Sequence, residues 1–224
     1  MGRTAQQMTE MLRKDQTACP ICGFVGAQIR SYIDAVFYDQ ITDVDVRARM
    51  REAGGFCRYH ARLVSEQRDA LGTALVMHDI IINRLRAMRS ADGKTNGLGG
   101  LGRLLQGSRK TERAPCPFCE AEREMNALAA DSLMRGLAEN GDFAVAFEAS
   151  LGLCIPHFDL AEVMYRSHPS WPHLAEVQTR GLEDLAARLD VLAQSYDHNK
   201  RHTVQDADVT SWRQGLNATS GRYD

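Results

Sequence analysis

Cys19-Pro20-Ile21-Cys22 and Cys57-Arg58-Tyr59-His60 supply three thiols and an imidazole. The same types recur 97 residues later as Cys116-Pro117-Phe118-Cys119 and Cys154-Ile155-Pro156-His157. In both halves 34 residues separate the C-P-x-C from the C-x-x-H, and all 6 cysteines of the chain lie in these motifs. Two ligands three positions apart can reach one ion together. Three sulfurs and one imidazole then fill a tetrahedral shell of the kind zinc prefers. The pattern predicts two metal sites built by an internal duplication. The first comprises Cys19, Cys22, Cys57 and His60, the second Cys116, Cys119, Cys154 and His157.

A disulfide framework would not place histidines in register with the cysteines, and residues 1–18 carry no apolar run of export-signal length. A thioredoxin-like use of either C-x-x-C lacks the surrounding βαβ pattern and leaves the C-x-x-H pairs unexplained. The alternative to two zinc ions is a pair of [4Fe–4S] clusters. Cys-Pro runs also occur around such clusters, and histidine can replace a cysteine there.

The elements that must carry these ligands read as helices. Val25, Ile29, Tyr32, Ile33, Val36 and Phe37 recur at three- and four-residue intervals, so a helix of about four turns leaves Cys22. Thr42-x-x-Asp45 resembles a capping box that opens a return helix, and Gly54-Gly55 suits its end. The gap is then a helical hairpin whose open end the ion pins shut. The second half repeats the plan: a helix to about Glu139, a cap at Asn140-Gly141, and a return helix from Asp142. Gly152 matches Gly55, and Leu160 matches Leu63.

Each C-x-x-H opens a further helix. The first is expected to run long, with Leu63, Leu71, Leu75, His78, Ile82 and Leu85 on or near one face and His78 close to the core. The second is broken at His168-Pro169-Ser170-Trp171-Pro172-His173, where the two histidines could meet. Beyond it Leu182, Leu185, Leu189, Leu192 and Tyr196 form a seam for packing within the chain rather than for a dimer. Trp212 and Leu216, four apart, mark a short docked helix near the end.

The expected architecture is all-α, with two pseudo-equivalent helical lobes, each a hairpin closed by a Cys3His site. Residues 1–18 form a polar helix, 19–89 the first lobe, 90–115 a glycine-rich linker, 116–197 the second lobe and 198–224 a polar C-terminal segment. The linker contains Gly97-x-Gly99-x-x-Gly102, but no strand precedes it, so it reads as a hinge with a short apolar helix, Leu101 to Leu105.

The twin C-P-x-C and C-x-x-H halves, together with Ser211-Trp212-Arg213, resemble an uncharacterised bacterial and archaeal family of unknown function. The resemblance spans most of the chain, is carried by the ligand positions, and implies the two-site architecture without adding a reaction. The sites are also similar to treble-clef zinc modules, whose second ligand pair lies at a helix N-terminus, although no β-hairpin is evident in this sequence.

A net charge of −2 and a pI near 6.4 argue against a protein that coats nucleic acid or an anionic membrane. The longest apolar patch, Leu71 to Ile82, is interrupted by His78 and Asp79 and is too short to span a bilayer. The expectation is a cytoplasmic protein that does not enter the membrane. Both sites supply four protein ligands and leave no open position for catalysis, and no H-E-x-x-H helix is present. The function expected is a metal-stapled scaffold, an interaction, assembly or accessory subunit whose partner is another protein. The alternatives are an iron–sulfur protein for redox sensing or electron transfer, and a nucleic-acid-binding regulator. The last would use Arg84, Arg86, Arg89, Arg103, Arg109, Lys110 and Arg113. His198 and His202 share a helical spacing but lie in the polar tail. The composition does not decide whether the protein self-associates.

Overall fold

Proline at the first helical position starts both helices that follow a C-P-x-C, because its fixed φ suits the first turn and its missing N–H would find no partner there. The structure, a computed structural model, describes residues 2–92, 114–196 and 205–221. Among those residues there are ten α-helices and no strand. In order they are α1 (Arg3–Lys14), α2 (Pro20–Ala35), α3 (Val44–Ala53), α4 (Arg58–Glu66), α5 (Ala70–Asp92), α6 (Pro117–Ala138), α7 (Asp142–Glu148), α8 (Ile155–Tyr165), α9 (Trp171–Ser195) and α10 (Asp206–Ser220). A π-helical stretch, Val36–Gln40, prolongs α2. The expected all-helical class is observed. No helix among the described residues is long and apolar enough to cross a membrane. The glycine motif at 97–102, the helix at Leu101–Leu105, the basic residues Arg103, Arg109, Lys110 and Arg113, and His198 and His202 lie outside the described residues.

The chain divides into two compact units, Ile29–Arg123 and Met1–Gln28 with Glu124–Asp224. These are not the consecutive lobes 19–89 and 116–197 read from the repeat. The chain changes unit inside α2 and again inside α6. Helix length gives the reason. With its π-helical extension α2 runs from Pro20 to Gln40, about 30 Å, whereas α3 has 10 residues and returns about 15 Å. The imbalance is larger in the second half, where α6 has 22 residues and α7 only 7. A short return helix retraces only part of its own long helix, and the C-x-x-H of each half falls in the other unit from its C-P-x-C.

In the unit Ile29–Arg123, the buried face of α2 holds Ile29, Ile33, Val36 and Phe37, as its periodicity implied. Asp43, rather than Thr42, caps α3: its carboxylate accepts the N–H of Asp45 at 2.8 Å and of Val46 at 2.9 Å. Gly54 ends α3 with φ 68°, a left-handed conformation that favours glycine. The long helix expected after His60 is interrupted, since Arg68 has φ 59° and α5 restarts at Ala70. That break rotates the face: Val76 and Ile80 are buried, whereas Leu71 and His78 are exposed. His78 is therefore not a core histidine. On α5 Asp79 accepts from Arg47 Nε at 2.8 Å and Arg51 Nη1 at 3.2 Å, which ties α3 to α5.

In the unit Met1–Gln28 with Glu124–Asp224, α1 buries Met8 and Leu12 and packs on α7. They join Leu133, Met134, Phe143 and Phe147 in one apolar cluster, with the two phenylalanine rings stacked at 5.9 Å. Gly152 turns the chain at φ 82° just before Cys154, and Gly181 lets α9 approach the Leu151 backbone. The break between α8 and α9 falls where the proline-rich stretch predicted it, but the two histidines do not meet. His168 Nδ1 accepts the Ser170 N–H at 3.1 Å, and His173 pairs with Glu148 at 3.0 Å. Leu185 of the α9 seam is buried and α10 lies along α9 and α8, whereas Tyr196 at the end of the seam is 80% exposed. The docked helix is observed with a different face inward. Asp208 and Ser211 are buried, while Val209, Trp212 and Leu216 are 52%, 48% and 59% exposed.

Gly181→Ala isolates the close approach of α9. Alanine improves helix propensity by about 1 kcal/mol, but its methyl would collide with the Leu151 carbonyl, and overpacking costs about 1–3 kcal/mol. A net loss of stability is expected, read as a lower melting temperature by circular dichroism; a rise would contradict the packing described. Asp79→Asn tests the tie between α3 and α5. Burial pushes the Asp79 carboxyl upward, but the hydrogen bonds and charges of Arg47 and then Arg51 outweigh it and hold it below its ordinary value. A lowered carboxyl contributes stability above the unfolded value, about 3.9, and loses it only as pH falls through the folded value. The variant should be less stable by about 1 kcal/mol, with a deficit that stays constant from about pH 7 to pH 5 in urea titrations. A deficit that shrinks across that window would overturn the assignment.

Candidate metal centres

All eight predicted ligands gather into two four-donor groups, but the partition crosses the halves. Cys19 and Cys22 join Cys154 and His157, here cluster I, and Cys57 and His60 join Cys116 and Cys119, cluster II. The first C-P-x-C thus closes with the second C-x-x-H, and the converse. This corrects the in-half sets predicted from the repeat. Cluster I lies within the unit Met1–Gln28 with Glu124–Asp224 and cluster II within Ile29–Arg123.

Four helix starts build the clusters. Cys57 and Cys154 are the N-cap residues of α4 and α8, and Cys19 and Cys116 immediately precede α2 and α6. The second ligand of each motif, Cys22, His60, Cys119 or His157, then sits in the first turn on the same side. Cys57 Sγ accepts the His60 N–H at 3.4 Å, as a capping side chain does. Each cluster therefore receives two helix N-termini, whose partial positive charge favours thiolates.

The donor spacing fits a single ion. Around one zinc, sulfurs at about 2.3 Å and a nitrogen at about 2.0–2.1 Å stand about 3.5–3.8 Å from each other in a tetrahedron. In cluster I, His157 Nδ1 lies 3.5, 3.3 and 3.1 Å from the sulfurs of Cys19, Cys22 and Cys154, and Cys22 and Cys154 are 3.6 Å apart. In cluster II, His60 Nδ1 lies 3.2, 3.7 and 3.4 Å from Cys57, Cys116 and Cys119, and Cys57 and Cys119 are 3.6 Å apart. Every donor atom in a group is within 4.8 Å of the others. Both groups could hold a metal ion.

The surroundings of the two imidazoles differ. His157 Nε2 is 2.9 Å from Asn126 Oδ1; an amide oxygen accepts, so the proton belongs on Nε2 and the Nδ1 lone pair faces the sulfurs. His60 Nε2 is buried without a hydrogen bond, with the Glu122 carboxylate 3.6 Å away. Burial pushes the His60 imidazole below its ordinary value. Burial also raises the Cys119 thiol to about 12, assisted by Cys57 and Cys116. An ion binding there must displace protons. Phe118, inside the second C-P-x-C, is buried against Phe56 at 5.0 Å and His60 at 5.9 Å and fixes the ring's position.

Sequence reasoning missed the residues that hold the ligand loops. Gln178, buried on α9, donates to the Leu153 carbonyl at 2.9 Å and accepts the Leu153 N–H at 2.8 Å, so it clamps the residue before Cys154. The Leu151 N–H donates to the Gln16 carbonyl at 3.0 Å and ties the two loops that feed cluster I. A glutamine inside an apolar helical stripe was the available signal for the first; nothing in the sequence marks Asn126 as the partner of His157. Asn126→Leu keeps the side chain's size but removes the acceptor. It should weaken metal binding at cluster I by about 10–100-fold, measured by competition with a chromophoric chelator, and leave cluster II unchanged.

No solved structure matches this chain. It is similar to the uncharacterized 23.9 kDa protein in xynA 3'region of Caldicellulosiruptor sp. (strain Rt8B.4), at 21% identity over 216 residues, which cover 96% of this chain and 99% of the relative. Residues 5–207 match the model of a family of unknown function, DUF6062. With two Cys3His groups and a match over nearly its whole length, the chain belongs to the DUF6062 family.

Proposed function

We propose that the protein is a zinc-stapled helical scaffold that acts as an interaction, assembly or accessory subunit for another protein. The observation that carries this reading is the closure of both sites: each presents four protein donors at the spacing of one tetrahedral ion. A shell filled by the protein has no position for substrate or water, which suits structure rather than catalysis. The same spacing supports a single ion over a [4Fe–4S] cluster. In a cubane each ligand binds its own iron, and ligands at four corners stand farther apart than donors that share one ion. The near-neutral charge and the exposed row of Val209, Trp212 and Leu216 on α10 support a protein partner.

Purified under anaerobic conditions, the protein is expected to be colourless with two zinc ions per chain. Replacement by cobalt should give the intense visible bands of tetrahedral thiolate coordination at both sites. Iron with labile sulfide, or a cobalt spectrum that responds to added anions as an open site does, would refute the reading.

The crossed partition has its own test. Structural zinc is worth about 10–16 kcal/mol in small modules, comparable with a domain's whole stability of about 5–15 kcal/mol. Cys154→Ser should therefore lose one ion and loosen the unit that holds it. The newly reactive thiols should be Cys19 and Cys22, mapped by alkylation and mass spectrometry, while Cys116 and Cys119 stay protected. Alkylation of Cys116 and Cys119 instead would restore the in-half sets.

A further inference from the structure

The two clusters use the same donors but differ in how they are covered. In cluster I the sulfurs of Cys19, Cys22 and Cys154 belong to residues only 9%, 6% and 2% exposed. Its cover includes α10: Gln214, Asn217 and Ala218 line a narrow cavity with Cys19 and Cys154 that has room for little more than one water, about 20 Å³. In cluster II Cys57, Cys116 and Cys119 are all partly exposed, and only the imidazole is buried. The imidazole of cluster I is oriented by Asn126, whereas His60 Nε2 makes no hydrogen bond. Thiolate oxidation follows access, so identical ligand sets under unequal cover react unequally.

We propose that cluster II is an oxidation-sensitive zinc site, at which a peroxide joins Cys57 and Cys119 in a disulfide and releases the ion, while cluster I keeps its own. The proposal rests on the zinc reading above. The two sulfurs are already 3.6 Å apart and lie on separate helices, Cys57 at the N-cap of α4 and Cys119 in the first turn of α6. A thiolate of this pair attacks one peroxide oxygen, the O–O bond breaks, and a sulfenic acid and hydroxide form. The second thiolate attacks the sulfenic sulfur; the S–S bond forms and the oxygen leaves as a second hydroxide. The two sulfurs lose two electrons to the peroxide, whose two oxygens leave as the two hydroxides, and two protons from the buffer convert these to water. Cys116 and His60 alone cannot complete a zinc shell, and the ion leaves hydrated. A thiol reductant with added zinc reverses the change.

The experiment uses the full-length, zinc-loaded protein, with hydrogen peroxide as oxidant and a chromophoric chelator to follow zinc. One equivalent should leave first, on the order of tenfold faster than the second, and non-reducing peptide mapping should find Cys57 joined to Cys119. Dithiothreitol and zinc should restore the original stoichiometry. Release of both ions at one rate, or a first disulfide among Cys19, Cys22 and Cys154, would overturn the proposal and leave the zinc scaffold standing. A protein that binds no zinc at the outset would instead refute the scaffold reading itself. The mapping uses the wild-type chain, so it does not depend on a variant that folds.

Discussion

Each motif of this chain brings half a coordination shell. A C-P-x-C or a C-x-x-H supplies two donors, and a tetrahedral ion needs four, so every motif depends on another far from it in the chain. The crossed closure of clusters I and II meets that need, and the arrangement of helices within each unit follows from it. Long helices start at the clusters and run away from them, short ones return partway, and glycine turns aim the second pair. Where the cover is tight, as at cluster I, Gln178 and the link from Leu151 to Gln16 hold the loops in place of side chains that would pack there.

Electrostatics favours the same arrangement. Three thiolates around a divalent ion leave about one negative charge, and a helix N-terminus carries about half a positive charge. Two helix starts per cluster therefore come close to balancing the ion's shell. That balance accounts for a ligand set built almost wholly from N-caps and first turns. The same positions that make good ligands make good helix starts, with proline at Pro20 and Pro117 and cysteine caps at Cys57 and Cys154.

Much of this was legible in the residues. The donors were identifiable from type and register, the helical class from periodicity, and the helix ends at Gly54 and near Asn140 from cap chemistry. The partition was not, because a repeat states which positions correspond and is silent on which copy they meet. The lengths held a clue: a return helix of 10 residues cannot retrace one twice as long. Misplaced faces had local causes. The left-handed Arg68 turned the register of α5 and brought His78 outward, and buried Asp208 and Ser211 took the inward side of α10 that Trp212 was expected to occupy. Short polar residues can bury by bonding their own helix, as the Ser211 hydroxyl does to the Asp208 carbonyl, and hydrophobic patterning does not register them.

The crossing also bears on how the chain reaches this state. Cys19 and His157 are separated by 138 positions, whereas Cys22 and Cys57 have only 34 residues between them. Closing the longer loop costs an unfolded chain about 1 kcal/mol more. During synthesis the first four donors, Cys19, Cys22, Cys57 and His60, all emerge before Cys116. A nascent chain thus has four donors in its first half alone, in a pairing the folded chain does not use. An ion held there would have to exchange ligands before the crossed groups of the folded chain form. The length of α2 works against that early pairing.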